Sequence, residues 1–302
     1  MDNLINWISS LTNSSWANLE DAWESLKGFA NSSFTTSLAG AFAGAYAAQR
    51  IAERGKIRDE LTKEIRATNS GLILTLTITN LAIAIKKQHV KKMKESYDED
   101  LRRFDEHKQK IASGVLDRRS PLELTMDFRF LPTISPPIAA LQDIVLGQMS
   151  TPGSALATVT ALADGISNMN ATIEKRNSLL TNYKAGNIPD GAPIQALYLG
   201  FSYGDGKTNR EYGDSMEGLN SYTNDVIFFG TKLCEDLSRH GEKVISKNRK
   251  ILKGVSSKLV EVDLQPAREM GLIPEDSEYK EWLGGVQERS EPKRPWWKFQ
   301  SG

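Results

Sequence analysis

The sequence predicts an all-α protein in which a single N-terminal transmembrane helix precedes an antiparallel, coiled-coil-like bundle of long cytoplasmic helices. Two observations predict the bundle: apolar residues recur every three or four positions along most of the chain, and proline is absent between Arg50 and Ser113. A third observation predicts the span, because residues 28–49 carry no charged side chain. As a helix this run would be about 33 Å long, close to a hydrocarbon core of about 30 Å.

The composition is that of a folded protein. The chain has 302 residues, with 38 basic and 38 acidic side chains and 39% apolar residues, which excludes wholesale disorder. A single cysteine, Cys234, excludes a disulfide framework. The zero net charge argues against nucleic acid as a partner, since such proteins usually carry a basic excess.

Charge changes sign near residue 50. The segment before it is acidic, whereas residues 50–94 carry eleven lysines or arginines against four acidic residues. Basic residues that follow a span mark its cytoplasmic side, so the N-terminus is expected outside the cell (inner) membrane and the bulk of the chain in the cytoplasm. The basic residues that set this topology are Arg50, Arg54, Lys56 and Arg58.

Small residues line one side of the uncharged run and include a G-x-x-x-G pair. In lipid, such a surface lets two helices pack closely, so it predicts a homo-oligomer formed through the span. The residues of this small-residue face are Ser37, Gly40, Ala41, Gly44, Ala45 and Ala48. Strongly apolar residues are few here, which leaves a second interpretation, an Ala/Gly-rich helix packed inside a soluble bundle.

A second uncharged run has its apolar core at residues 71–85. If both runs spanned the membrane, the basic clusters that follow them would lie on opposite sides, contrary to the positive-inside rule. Leucines and isoleucines in the run keep a helical spacing, although the alternating threonines would also fit a strand. We predict a helix buried within the bundle.

Tryptophans occur near both ends of the chain. Residues 1–27 have apolar residues at helical spacing and are predicted as an amphipathic segment, either in the headgroup layer or docked on the protein itself. The C-terminal end interleaves aromatic and basic residues, which suits anionic lipid, a protein partner or a tail tucked against the bundle. The interfacial anchors are Trp7, Trp16, Trp23, Trp296 and Trp297.

The rest of the chain divides at its prolines and glycines. Residues 50–113 are expected to form one long charged helix, which we favour over two helices with a turn near Asn69–Gly71. The later segments are a proline-rich connector at 114–137, a helical bundle at 138–262 with an irregular loop at 186–215, and a C-terminal tail at 263–302.

No catalytic motif is recognisable in the sequence. The stretch from Gly204 to Thr208 ends like a phosphate-binding loop, but the glycine that should lie five positions before Gly206 is Phe201. A phosphate-binding loop also needs a βαβ context, which the helical periodicity does not supply. This stretch is therefore interpreted as a turn.

Single polar residues give no stronger indication of chemistry. His89, His107 and His240 have no second ligand at metal-binding spacing and are interpreted as solvated or bundle-edge side chains. Cys234 is interpreted as a small core residue, and the cluster Asp98–Asp100 as a solvated helix face. No catalytic residue, cofactor or metal is predicted.

These patterns together predict a membrane-anchored, non-enzymatic helical scaffold, sensor or interaction protein. Its expected partners are membrane lipid, a second copy of the chain, and a protein that binds the bundle or the C-terminal tail. Two other functions fit the same patterns: a membrane-perturbing effector, toxin-like or immunity-associated, and a soluble helical interaction protein.

Overall fold

The computed structural model describes residues 33–251 and 258–285; the segments 1–27, 28–32, 252–257 and 286–302 lie outside the described residues. The described chain is helical and forms no strand, which confirms the all-α class. It divides into two compact units, Met1–Glu60 and Leu61–Gly302. The predicted anchors Trp7, Trp16, Trp23, Trp296 and Trp297 all lie outside the described residues.

Eight α-helices follow one another along the described chain. They are α1 Ser33–Ile85, α2 Lys91–Ala112, α3 Ile138–Gly147, α4 Gly153–Lys184, α5 Ile194–Leu199, α6 Glu211–Ile251, α7 Gln265–Glu269 and α8 Lys280–Gly285. A π-helical turn, Lys86–Val90, joins α1 to α2, and a 3₁₀ turn, Asp276–Tyr279, leads into α8. No break occurs at Asn69–Gly71, and the boundary between the two units falls within α1.

In the second unit, α6 runs antiparallel to α1 and α2 at very close range. Three glycines of α6 allow this approach, because a Cβ atom at Gly213 or Gly230 would collide with a side chain of α1 or α2. A Cβ atom at Gly241 would collide with Leu259 and would lie 3.0 Å from Thr68 of α1. The facing pairs are Gly213 with Tyr97, Gly230 with Thr79, and Gly241 with Thr68. The order of these pairs places the C-terminal part of α6 at the end of the bundle where α1 begins to pack.

The apolar stretch 71–85 lies in the core of this unit. Leu72 and Ile78 are fully buried, and the hydroxyl groups of Thr75 and Thr79 donate to the carbonyl oxygens four residues earlier, at 2.8 Å. Because the helix itself satisfies these hydroxyls, the threonines can be buried without a strand partner. The alternating threonines therefore belong to a helix.

The continuous helical stretch Gly40–Ala112 comprises most of α1, the π-helical turn and α2. It is long and apolar enough to cross a membrane, by length and composition alone. Half of its most apolar window is buried inside the protein. Every side chain from Gly40 to Glu60 is exposed, so that window belongs to the second apolar run and not to residues 28–49. A core helix passes the same test of length and hydropathy.

The connector at 114–137 begins with turns, has no regular secondary structure from Ser120 onward, and is held by side chains of α4. Asn170 accepts a hydrogen bond from the Ile134 amide at 3.0 Å and donates to the Ile134 carbonyl at 2.8 Å. Asn177, two turns later, makes the same pair of bonds with Leu131 at 3.1 and 2.7 Å. The two amides therefore supply the backbone partners that this proline-rich segment cannot find in a helix or sheet.

The predicted irregular loop at 186–215 is shorter and more ordered than expected. It contains α5, which follows Pro193 and ends at Gly200 in the left-handed conformation, with φ +75°. The buried side chains of α5 tie it to the core. The loop ends at residue 210, because Glu211 already begins α6.

Residues 258–285 form a strap across the bundle. The Asn69 side chain bonds the backbone of Lys258 and Val260, at 3.1 and 2.9 Å. Farther along, the Tyr279 ring stacks on Phe228 at 3.7 Å between centroids, and its hydroxyl donates to Asp225 at 2.7 Å. The part of the predicted C-terminal tail that the structure describes is thus packed on the core.

Candidate functional site

The first unit presents the small-residue face predicted from the sequence. The six residues Ser37, Gly40, Ala41, Gly44, Ala45 and Ala48 are all exposed. A Cβ atom at Gly40 or Gly44 would meet nothing within 4 Å, so space for a second helix is open there. Phe42 and Tyr46 are also 69% and 60% exposed, so two large aromatic side chains one helical turn apart lie open on this uncharged part of the helix.

Basic residues follow the uncharged part of α1 directly. Arg50, Arg54, Lys56 and Arg58 are exposed. The Arg50 Nε donates to the Tyr46 hydroxyl at 3.0 Å, and the guanidinium lies 5.4 Å from the centre of the Tyr46 ring. Tyrosine and arginine paired at one end of an uncharged helix are typical of the headgroup level of a membrane.

The interpretation of Asp98–Asp100 as a solvated face is wrong for Asp100, which is fully buried. Its carboxylate accepts hydrogen bonds from the Thr125 amide at 3.0 and 3.1 Å, the Met126 amide at 3.0 Å and the Tyr198 hydroxyl at 2.9 Å. Met126 has a φ of 45°, a left-handed conformation that is strained for a residue with a side chain. Asp100 therefore joins α2 to the connector and to α5, and it holds the strained residue in place.

A second buried charge, Arg176 on α4, holds the same connector. The guanidinium donates to the carbonyl oxygens of Arg129 at 2.6 Å and Asp127 at 2.9 Å, and to the Tyr212 hydroxyl at 3.1 Å. The Tyr212 hydroxyl in turn donates to the Asp127 carbonyl at 2.9 Å. The connector is thus fixed by one buried anion and one buried cation, each bonded mainly to backbone groups.

The interpretation of His240 as solvated or at the bundle edge is also wrong. His240 is 7% exposed, and its Nε2 lies 2.9 Å from Glu64 Oε1, which also accepts bonds from the amide and hydroxyl of Ser150. Burial would raise the pKa of Glu64, but the hydrogen bonds from Ser150 and His240 outweigh it and hold that pKa below its usual value. This cluster joins α1, α6 and the turn before α4.

The buried polar residues share a sequence signal. Asp100 follows Met93 and Tyr97, and Arg176 follows Met169 and Ile173, with the spacing that places all of them on one buried helix face. His240 follows Leu233 and Leu237 in the same way. A polar residue that occupies a position of the apolar stripe on a helix is thus expected to be buried.

Ser150, His240 and Cys234 are the described side chains that could be considered as reactive groups. Ser150 and His240 bond the same oxygen of Glu64 rather than each other, so the histidine is not placed to take the proton of the serine hydroxyl. Burial raises the pKa of the Cys234 thiol to about 12, which keeps it protonated. Among the described residues, no group of three His, Cys, Asp or Glu side chains could hold a metal ion.

Comparisons with protein-family models, with curated proteins and with solved structures found no match to this chain.

Proposed function

We propose that this protein is a membrane-anchored, non-enzymatic helical scaffold or sensor. A single span at residues 28–49 would hold it in the cell membrane, with the N-terminus outside and the bundle in the cytoplasm. One observation carries the proposal: every described side chain from Gly40 to Glu60 is exposed, whereas from Leu61 onward one face of the same helix is buried.

Lipid is the environment that suits such a segment. In water, the ring of Phe42 would remain hydrated within a run of 22 residues that carries no charged side chain, and Tyr46 would have only Arg50, after the end of that run, as a charged neighbour. In a bilayer the helix satisfies its own backbone groups, and its apolar side chains face acyl chains. The basic residues from Arg50 to Arg58 then lie on the cytoplasmic side.

Membrane fractionation tests the anchor. The full chain is expected in the pellet after a carbonate wash, whereas a chain that begins at Arg50 is expected in the supernatant, since it has lost the whole proposed span. A full chain that stays in the supernatant without detergent would contradict the proposal and favour a soluble helical protein.

Self-association through the small-residue face is the second part of the proposal. Isoleucine at both Gly40 and Gly44 would keep two helices apart, and it is expected to weaken assembly in detergent or lipid roughly tenfold, which corresponds to about 1.4 kcal/mol. Crosslinking of the full chain in membranes measures the fraction of the protein that is assembled. Gly55→Ile is the matched control, since Gly55 is equally open but lies after the uncharged run. Assembly unchanged in the double variant would count against this face.

A further inference from the structure

The bundle has one end at which basic side chains gather. Leu61 and Ile65, at the point where α1 begins to pack, contact Val244 and Ile245 of α6. The last turns of α6, up to Ile251, therefore extend from this same end, and the strap begins there with Lys258. We call it the basic end of the bundle.

Six basic side chains are exposed at the basic end. They are Lys63, Arg66, Lys247, Arg249, Lys250 and Lys258. None of the six forms an ion pair with a described residue. The acidic residue among them on α1, Glu64, is engaged by Ser150 and His240. The six basic side chains therefore exceed the carboxylates around them and are not held in close ion pairs with described residues.

Two cavities open beside these side chains. The larger, about 860 Å³, has Arg249, Lys250 and Lys258 on its lining together with the apolar side chains of Ile245 and Leu259. Two carboxylates, Glu242 and Glu261, also line it, so its charge is mixed with a basic excess. The smaller, about 470 Å³, is lined by Lys63, Arg66, Ala67, Ser70, Ile144 and Gln148.

A cationic group beside an apolar wall matches the chemistry of a phospholipid near its phosphate. The phosphate accepts bonds from lysine and arginine, and the glycerol and first methylene groups fit apolar side chains. Continuity of the chain favours this ligand, because only residues 50–60 separate the uncharged run, which ends at Gln49, from Leu61.

We propose that the basic end of the bundle binds the headgroups of anionic phospholipids in the membrane that holds α1. The proposal builds on the anchored topology proposed above and adds a lipid preference to it. Anionic headgroups would then hold the bundle against the cytoplasmic leaflet, in a manner that high salt weakens.

A fluorescent label in the larger cavity tests this on the full chain. Ser246 lines that cavity and is exposed, while the native Cys234 is buried, so Ser246→Cys offers the accessible thiol of the described chain. The labelled chain is placed in nanodiscs of phosphatidylcholine, with or without phosphatidylglycerol. Quenching by a headgroup-attached quencher is expected to rise several-fold with phosphatidylglycerol and to fall again in molar salt.

A charge-reversal pair supplies the matched variants. Arg249→Glu together with Lys250→Glu is expected to lower the apparent affinity for phosphatidylglycerol about tenfold or more. Lys108→Glu together with Lys110→Glu makes the same change of charge at the exposed far end of α2 and is expected to leave it unchanged.

The outcomes separate the two proposals. If the chain inserts into nanodiscs but its quenching is the same with and without phosphatidylglycerol, the proposed lipid preference is wrong and the proposed anchor is not contradicted. A chain that does not insert into either nanodisc would overturn the anchor, and sedimentation with phosphatidylglycerol vesicles would then decide the lipid preference alone. Charge-dependent binding to a DNA oligonucleotide, without any response to phosphatidylglycerol, would also overturn it.

Discussion

Arginine at both Ser37 and Ala41 is expected to release the full chain from membranes. An arginine near the centre of a spanning helix costs about 2.5–3.5 kcal/mol on insertion, so two cost about 5–7 kcal/mol. Each 1.4 kcal/mol is a factor of ten in the insertion equilibrium. The run has few strongly apolar residues to offset this cost. After a carbonate wash, the double variant is expected in the supernatant.

The same substitution should leave a soluble protein unchanged, which makes the experiment decisive. Ser37 and Ala41 are exposed, and arginine is a good helix former, so in water neither packing nor helix propensity would suffer. Leucine at both positions is the matched control and is expected to strengthen anchoring. A double-arginine variant that remains in the washed pellet with the unaltered chain would refute a span at 28–49.

The helices and their apolar stripes were predictable because each depends on neighbours within a few residues. Leu162, Ile166, Met169 and Ile173 recur every three or four positions along α4 and are all buried. Leu156 belongs to the same periodic pattern but is exposed near the start of α4. Periodicity identifies the face of a helix that is apolar, but not where along the helix its partner ends.

Burial of the charged residues depended on partners far along the chain. Asp100 meets Tyr198 and the connector, and Glu64 meets His240, and no local pattern reports such pairings. The charges around Asp100 indicated a solvated face, although its place on the apolar stripe indicated the core. The neighbouring charges and the position on the helix thus predicted opposite environments for Asp100. The position on the helix predicted its burial correctly, because packing covers a whole helix face whatever the charge of its neighbours in sequence.

Alanine at Asp100 is expected to loosen the connector more than any exposed substitution nearby. The change leaves the Thr125 and Met126 amides and the Tyr198 hydroxyl without their carboxylate, inside the protein. An unsatisfied buried polar group costs about 1–3 kcal/mol, so the local loss is about 3–5 kcal/mol after some relaxation. The strained backbone of Met126 also loses its main restraint.

Hydrogen exchange of the full chain measures this loss where it occurs. Because each 1.4 kcal/mol is a factor of ten, the Thr125 and Met126 amides are expected to exchange at least 100-fold faster in Asp100→Ala. Asp100→Asn keeps one side-chain oxygen, so its exchange rates should lie between those of the unaltered chain and those of Asp100→Ala. Asp98→Ala is the matched control, since Asp98 is exposed and its ion pair with Lys94 is worth little. Equal protection in Asp98→Ala and Asp100→Ala would show that the connector is held by Asn170, Asn177 and Arg176 without Asp100.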